Sequence, residues 1–424
     1  MAGQVRGMAK PSPDIEAIEE FFSRRYGREA LYLPSGRLGL YLAFREWLPP
    51  GARILMSPLQ DDVVFFTVLA AGLRPVLGPV DPRTGNLDPE AIDEATWSSL
   101  AGVLTTNLYG NPDRMDVLVG RCHRHGLVLI EDAAHGIDSW FGGRRIGSFG
   151  RAAVFSLGKH LEIPGGVLAF PDSDRRKSLL LRAEQELRRG PSLELALQRW
   201  MILARALMER RRAPRPLRRL VEAFLPQSPR GGAHRMPYTD DAVRRAQAHG
   251  GGLDPFEAWV RMDHPAYRTP PLPPVIRASR SRIERFGDNR RRRLEGAERL
   301  LGLGFTPRDI EIPRDTALLR VPLFVEDRER VIAYLARRGL TTEYIYDPPL
   351  DLYAPTWSVA LPSPPAARAW SRDVLPVNPL HADRFVSIYR ETPEVFRATH
   401  ETDEAEPSRS RAVRQGGSSS QASP

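Results

Sequence analysis

Short apolar runs alternate with longer amphipathic stretches between about residue 30 and residue 170. The runs, rich in β-branched and other apolar residues as buried strands are, read ARILMS, RPVLGPV, AGVLTTN, LVLIEDA, AAVFSL and GVLAF. Helices are predicted between them, at 61–71 and near 113–125. Strands that alternate with helices predict an α/β fold class, with a mostly parallel sheet covered by helices.

The pattern also divides the chain into segments. The predicted units are a disordered leader (1–13), a large α/β domain (14–171), a basic helical insertion (172–230), a return to the large domain with a linker (231–279), a small C-terminal α+β domain (280–400) and a disordered tail (401–424). The run ALLRVPLFVEDRERVIAYLARRGL predicts strand, turn and helix within the small domain.

Composition narrows the class of protein. With 424 residues, of which 42% are hydrophobic, the chain can build a large core. A single cysteine, Cys122, excludes an internal disulfide framework and a multi-cysteine metal site. No apolar run reaches about 18 residues, and the N-terminal sequence has no apolar signal region. These features predict a cytoplasmic protein without a membrane span.

The net charge of +9 raises the question of a polyanionic partner. The arginines have little aromatic interleaving for base stacking, so no nucleic-acid partner is predicted. A basic amphipathic stretch at 193–212 is compatible with contact to an anionic membrane surface. A helix packed on its own protein, with solvated arginines, is the favoured interpretation.

Two further patterns carry no function. Cys122, His123 and His125 are of metal-ligating types, but on a predicted helix their side chains do not converge, so no metal is predicted. The chain has neither a glycine-rich dinucleotide motif after a strand nor a phosphate-binding P-loop.

Polar residues follow several predicted strands of the large domain. Asn107 follows AGVLTT, Asp132 and His135 follow LVLI, and Ser156 and Lys159 follow AAVF. Ligands bind open α/β sheets at the carboxyl ends of the strands. With the glycines of Pro164-Gly165-Gly166, where the chain returns into GVLAF, the sequence therefore predicts that an acid, a lysine, a serine and glycines converge there.

Lysine chemistry has few candidates in this chain. Of its three lysines, Lys10 lies in the leader and Lys177 in a charged run, which leaves Lys159. A lysine of lowered pKa is a Schiff-base nucleophile, and a carboxylate beside a pyridine nitrogen keeps that nitrogen protonated. Pyridoxal phosphate requires both groups.

Pyridoxal phosphate also requires a phosphate site. Ser35, Gly36 and Arg37 precede the periodic run LGLYLAF, so they can form a helix N-terminus, which favours an anion. Taken singly, these residues also fit ordinary structural roles: Asp132 as a helix cap, Lys159 as a surface charge and Gly36 as a turn residue. It is their combination that favours the cofactor.

The stretch LYGNPDRMDVLVGRCHRHGLVLIEDAAHGIDSWFGGRRIGSFGRAAVFSLGKHLEIPGGVLAF resembles the core of the DegT/DnrJ-type aminotransferases. These are fold-type I pyridoxal-phosphate enzymes, most of which aminate keto-sugars linked to nucleotides. The resemblance covers roughly residues 14–170, and more weakly 231–395, while 172–230 has no counterpart. It implies a homodimer with shared active sites, glutamate as amino donor and a role in polysaccharide or amino-sugar biosynthesis.

The resemblance also implies roles for individual residues. Lys159 would be the catalytic residue, forming the Schiff base with the cofactor and moving the substrate proton. Asp132 would pair with the pyridine nitrogen, and His135 would lie near the phenolic oxygen.

For the phosphate, the resemblance implies Ser156 together with the amides of Gly36 and Arg37. Asn107 stands where relatives often have histidine, and it is also predicted to bind the cofactor.

Three positions depart from the family pattern. The run after Pro58 reaches Asp62 without the usual aromatic residue, Arg37 replaces a hydroxyl residue, and Ala233 stands where relatives place an asparagine that reaches the partner subunit's phosphate. These departures leave open a non-catalytic or divergent cofactor-binding homologue. A sugar dehydratase is a second alternative, but relatives of that kind tend to replace the lysine with histidine, and Lys159 is present.

Overall fold

A computed structural model describes residues 12–188, 235–342, 346–362 and 365–397. Its strands, numbered in chain order, are β1 (Glu29–Leu33), β2 (Arg53–Met56), β3 (Arg74–Leu77), β4 (Gly102–Thr105), β5 (Val128–Asp132), β6 (Trp140–Phe141), β7 (Arg144–Arg145), β8 (Ala152–Ser156), β9 (Gly166–Phe170), β10 (Val321–Phe324), β11 (Val359–Ala360) and β12 (Val374–Val377).

The helices of the first half of the chain are α1 (Pro13–Tyr26), α2 (Gly36–Trp47), α3 (Asp62–Ala70), α4 (Glu94–Ser98), α5 (Met115–His125), α6 (Leu157–His160) and α7 (Arg175–Glu186). Those of the second half are α8 (Asp240–Ala248), α9 (Glu257–Val260), α10 (Pro273–Arg277), α11 (Ser279–Glu284), α12 (Phe286–Leu301), α13 (Arg328–Arg337), α14 (Leu350–Tyr353), α15 (Ala366–Asp373) and α16 (Ala382–Glu391).

Eight strands form the central sheet, in the order β1-β9-β8-β5-β4-β2-β3-β11. Each neighbouring pair from β8 to β11 is parallel, whereas β9 runs antiparallel to both β1 and β8. Only β9 is therefore reversed among the described strands of this sheet. The mostly parallel α/β fold predicted from the apolar runs is confirmed.

Helices cover both faces of the sheet. One hydrophobic cluster contains Phe44 of α2 and Phe65 of α3, and a second contains Phe22 of α1 and Leu118 of α5. All four side chains are fully buried. A parallel sheet needs this double cover, because its strands are apolar on both faces.

Two helices begin at the carboxyl edge of the sheet, and each has an N-cap residue whose side chain accepts a hydrogen bond from the first turn. Ser35 caps α2 by accepting a hydrogen bond at Oγ from the amide of Leu38, at 3.2 Å. Asp61 caps α3 in the same way, with its Oδ1 2.9 Å from the amide nitrogen of Val63. Such caps satisfy donors that the first turn leaves open. The N-termini of α2 and α3 thus lie at one edge.

The C-terminal part of the chain has its own core. The strands β10 and β12 pair antiparallel, and helices α12, α13 and α16 contribute to a third cluster. The chain does not stay in this unit, because Val359 and Ala360 form β11 and pair parallel with β3 of the large sheet. The domain boundaries given above remain predictions.

Glu131 fixes the loop between β7 and β8. Its fully buried carboxylate accepts hydrogen bonds from the amides of Gly147, Phe149 and Gly150, at 2.6, 2.7 and 2.6 Å. Burial raises the pKa of this carboxyl, and the three amides oppose the rise. This loop leads directly into β8, which carries Ser156.

We expect Glu131→Gln to lower the free energy of unfolding by about 2–4 kcal/mol, because the amide that replaces the carboxylate leaves buried N–H groups unsatisfied. Urea denaturation measures the loss. The exposed Glu20 provides a matched control, and Glu20→Gln should change stability by less than about 0.5 kcal/mol. Equal effects of the two substitutions would refute the role of Glu131.

Several predictions fall outside the described residues. The leader up to residue 11, the basic stretch at 193–212, Ala233 and the tail from 401 all lie there. Within the four described ranges, no helix has the length and apolar character needed to cross a membrane.

Candidate active site

A cavity of about 330 Å³ opens at the carboxyl ends of the parallel strands. Its volume is within the usual range for small-molecule sites. The residues that line it are Ser35, Gly36, Arg37, Leu40, Gln60, Asp61, Val63, Val64, Thr106, Asp132, Ala134, His135, Val154, Ser156, Gly158, Lys159, Ile163, Pro164, Gly165, His264 and Tyr346. Six of the seven predicted site residues are in this set.

Lys159 lies on α6, the single helical turn that follows β8. Its side chain is exposed to the cavity. Desolvation by the surrounding protein lowers the pKa of Lys159, and the charges of Asp132 and Asp61 oppose the change. A lowered pKa increases the fraction of neutral amine, which is the nucleophilic form.

Asp132 ends β5 and faces the same cavity. Its side chain is buried, and its oxygens accept hydrogen bonds from the amide of Ala134 at 3.1 Å and from Nε2 of Gln60 at 3.4 Å. Burial raises the pKa of Asp132 to about 6, while Lys159 lowers it. A carboxyl held at this depth is suited to pair with a cationic ring nitrogen.

His135 presents a hydrogen-bond donor to the cavity. Its Nδ1 accepts from the amide of Tyr109 at 3.2 Å, so the proton of the neutral ring resides on Nε2. Burial lowers the pKa of His135 well below its usual value, and Lys159 and Arg320 add to this effect. The imidazole is thus neutral near pH 7 and suited to donate to a phenolic oxygen.

The first turn of α2 forms another part of the cavity wall. Gly36 and Arg37 line the cavity there, next to Ser156 at the end of β8. A Cβ on Gly166 would lie 2.5 Å from the amide nitrogen of Gly36, so β9 approaches this turn closely. The Nη1 of Arg37 donates to the carbonyls of Val260 and Met262, at 2.5 and 2.6 Å. Because these bonds commit Nη1 of Arg37 to the main chain, the groups here that favour a phosphate are the helix N-terminus and the hydroxyl of Ser156.

Asn107 does not line the cavity. It is fully buried, and its backbone has the left-handed conformation with φ 46°. Its main-chain N–H donates to Oδ2 of Asp113 at 2.8 Å. Its Nδ2 donates to the carbonyl of Asp132 at 3.2 Å and to Thr105 Oγ1 at 3.0 Å. In this geometry Asn107 supports the main chain of Asp132, and its contact with a cofactor remains a prediction.

His160 is directed away from the cavity. It is buried, and its Nε2 lies 2.7 Å from the carbonyl oxygen of His135, so this nitrogen carries the proton. Burial lowers the pKa of His160 to about 3. The ring is therefore a neutral structural donor that holds His135 in place.

Sequence reasoning missed Gln60, His264 and Tyr346 as lining residues. Gln60 stands in the run after Pro58 that attracted attention only because it lacks an aromatic residue. Asp62, in the same run, is directed elsewhere, since its Oδ2 accepts from the amide of Met236 at 2.8 Å. In the sequence, only its position next to the N-cap of α3 indicated that Gln60 lies at the cavity. No sequence feature indicated this for His264 or Tyr346.

The described residues offer no alternative metal centre. Among them, no group of three or more His, Cys, Asp or Glu side chains is arranged to hold an ion. Cys122 is buried in α5, where burial raises the pKa of its thiol to about 12.

A lysine and a buried carboxyl at the strand ends of such a sheet define the class of fold that holds pyridoxal phosphate in many enzymes. Comparison with known proteins agrees with this class. Residues 8–181 match the DegT/DnrJ/EryC1/StrS aminotransferase family, so the resemblance found in the sequence is confirmed for this part of the chain.

A transaminase from Streptomyces venezuelae that is named for dTDP-3-amino-3,4,6-trideoxy-alpha-D-glucose is 34% identical over 175 residues. The match covers 39% of this chain and 46% of that protein. In general, the chain spans about half, or less, of the length of the curated relatives it matches.

Solved structures share the fold over a greater length. DesV from S. venezuelae, in complex with a ketimine intermediate, has a TM-score of 0.59 and 24% identity, with 91% of this chain and 90% of that chain covered. An E. coli GDP-4-keto-6-deoxy-D-mannose-3-dehydratase with bound hydrated PLP has a TM-score of 0.61 and 16% identity, covering 91% and 92%. A dehydratase therefore has this fold too, and the fold alone does not choose the reaction.

The donor set fits pyridoxal phosphate. Lys159 supplies the amine, Asp132 the buried carboxyl and His135 an Nε2–H donor, all lining one cavity. The turn at Gly36 and Arg37 supplies the cradle for an anion.

Proposed function

We propose that this protein is a pyridoxal-phosphate-dependent aminotransferase that transfers an amino group to a keto-sugar. The observation that carries the proposal is the convergence of the Lys159 amine and the buried Asp132 carboxyl on one cavity. Glutamate is the proposed donor and a nucleotide-linked keto-sugar the proposed acceptor, in polysaccharide or amino-sugar biosynthesis. We further propose a cytoplasmic homodimer, in line with the family resemblance.

When bound, pyridoxal phosphate supplies an electron-accepting ring for proton removal at the substrate carbon. Asp132 would pair with the ring nitrogen and keep it protonated, and His135 would donate from Nε2 to the phenolic oxygen of the ring. The amides of Gly36 and Arg37, together with Ser156, would hold the phosphate. Lys159 would supply the amine that holds the cofactor and the base that moves the proton at the substrate carbon.

The proposal is tested by adding pyridoxal phosphate, then glutamate, to purified protein. We expect a visible absorption band from the covalent lysine adduct, and its disappearance with glutamate. Borohydride trapping and peptide mass spectrometry should locate the adduct at Lys159 and at neither Lys10 nor Lys177. Absence of the adduct would refute the cofactor assignment, and a band that ignores glutamate would refute this donor.

A non-catalytic or divergent homologue is the second candidate, because no aromatic side chain lines the cavity from residues 59–62. It predicts the covalent adduct without amino transfer from glutamate to any keto-sugar. The dehydratase alternative receives no support from His160, because its imidazole is committed to the carbonyl of His135 and its pKa is too low for a base.

A further inference from the structure

Arg293 connects the C-terminal unit to the lysine turn. It lies on α12 and is only 3% exposed. Its Nη2 donates to the carbonyl oxygen of Lys159 at 3.2 Å, and its Nη1 lies 3.3 Å from the carbonyl oxygens of Leu318 and Leu319. One guanidinium thus links the main chain of the lysine turn to the segment that leads into β10.

Arg293 has two further side-chain partners. Nε donates to Asn289 Oδ1 at 2.9 Å, and Nη1 lies 3.4 Å from Asn378 Oδ1. Burial lowers the pKa of Arg293 to about 10, so the side chain remains cationic at neutral pH. Because several hydrogen bonds hold the planar guanidinium, its Nη2 has little freedom to move. The carbonyl that Nη2 binds is therefore held in position as well.

The bound carbonyl lies at a sensitive position. The helix α6 is one turn long, and the amides of Leu161 and Ile163 both donate to the carbonyl of Leu157. The carbonyl of Lys159 is the one that Arg293 takes. Its peptide joins Lys159 to His160, and His160 in turn holds His135 through the latter's carbonyl. Movement of this peptide would displace both the amine and the imidazole donor.

We infer that Arg293 is a positioning residue for Lys159, which sets the direction of the lysine from the small domain through the Lys159 carbonyl. The inference rests on the proposed function only in its catalytic consequence. The positioning itself concerns the protein's own lysine and can be measured without cofactor.

The test uses the full-length protein and the pH dependence of lysine acetylation. Trace acetic anhydride is applied across a pH series, and peptide mass spectrometry reports each lysine, with Lys177 on the exposed face of α7 as internal reference. Arg293→Met should let water reach the turn. Since burial is the main cause of the lowered pKa of Lys159, its acetylation midpoint should rise by about 0.5–1 pH unit.

The charges that face the amine stay in place in this variant. They are the anions Asp132 and Asp61 and the cations Arg320 and Arg37, while His135 is neutral. Arg293→Met also removes the charge of Arg293 itself, which would raise the midpoint, so it is a shift shared by the charge-retaining Arg293→Lys that reports a change in the position and hydration of Lys159. The midpoint of Lys177 should not move.

Arg290 provides a matched control on the same helix. It pairs with the buried Asp138 and donates to the carbonyl of Asp315 at 2.9 Å, so Arg290→Met also weakens the docking of α12. It has no contact with the lysine turn. We expect the midpoint of Lys159 to remain unchanged in Arg290→Met, and an equal shift in both variants would overturn the inference.

Arg293→Lys keeps the charge and at least one donor, and it should give an intermediate shift in the midpoint of Lys159. This variant keeps the test decisive if Arg293→Met does not fold.

In the amino-transfer assay, Arg293→Met should lower kcat by about 10–100-fold with KM changed less than about threefold, because a misplaced amine affects the chemical step. An unchanged midpoint and kcat in both Arg293 variants would overturn the inference. If wild-type protein forms no cofactor adduct, the proposed function fails, while the acetylation midpoints still decide whether Arg293 positions Lys159.

Discussion

Replacement of Lys159 by alanine is expected to lower the amino-transfer rate by about 10³-fold or more, because one side chain provides both the covalent attachment and the proton transfer. Among the described residues that line the cavity, Lys159 is the only lysine. The variant should also lose the visible band and the borohydride-trapped adduct. Steady-state kinetics and the absorption spectrum measure the two effects separately.

Lys177→Ala is the control for this variant, because Lys177 is exposed on α7 and should retain full activity. Added primary amines provide a second check. Partial recovery of Lys159→Ala with methylamine would show that the missing group is an amine at the cavity. A Lys159→Ala protein with more than about a tenth of wild-type activity would contradict the assigned role.

Asp132→Asn is expected to lower kcat/KM by about 10²–10³-fold and, without cofactor, to stabilise the protein at high pH. Burial raises the pKa of Asp132 from 3.8 to about 6. The folded protein therefore holds this proton at pH values where the unfolded chain has lost it. Raising the pH from 4 to 8 then removes up to about 3 kcal/mol from the free energy of unfolding, a penalty that asparagine does not incur.

Urea titrations of cofactor-free protein at pH 5 and pH 8 test the stability effect. Asp132→Asn should exceed wild type by about 2–3 kcal/mol at pH 8, and by much less at pH 5. Asp241→Asn, at an exposed aspartate of α8, should follow wild type at both pH values. A destabilised Asp132→Asn protein at pH 8 would show that the buried charge is compensated in the folded state.

The sequence was sufficient for the strands and helices that carry the cavity. The run ARILMS contains β2, and the predicted helix near 113–125 contains α5. The rule that ligands meet the carboxyl ends of parallel strands is local, because each polar group directly follows its own strand. Asp132, Ser156 and Lys159 could therefore be placed together without knowledge of the tertiary structure.

Residues that reach the cavity from distant segments could not be predicted in this way. Tyr346 and Arg293 come from the C-terminal unit, and neither is marked by periodicity or spacing. β11 has two residues, too few to show alternation. Asn107 follows its strand as the rule requires. Its backbone has a positive φ, however, and its side chain binds the carbonyl of Asp132, so it does not line the cavity. The catalytic and cofactor-binding roles themselves remain predictions.

The return of the chain to the large sheet at β11 affects how the protein can be divided. A gene fragment ending near residue 280 would lack Val359 and Ala360, leaving the outer edge of β3 without its partner strand. It would also lack Tyr346, and so one wall of the cavity. Although the two units have separate cores, they are not interchangeable modules. Recombination with a related protein would have to exchange the small domain together with β11 and Tyr346.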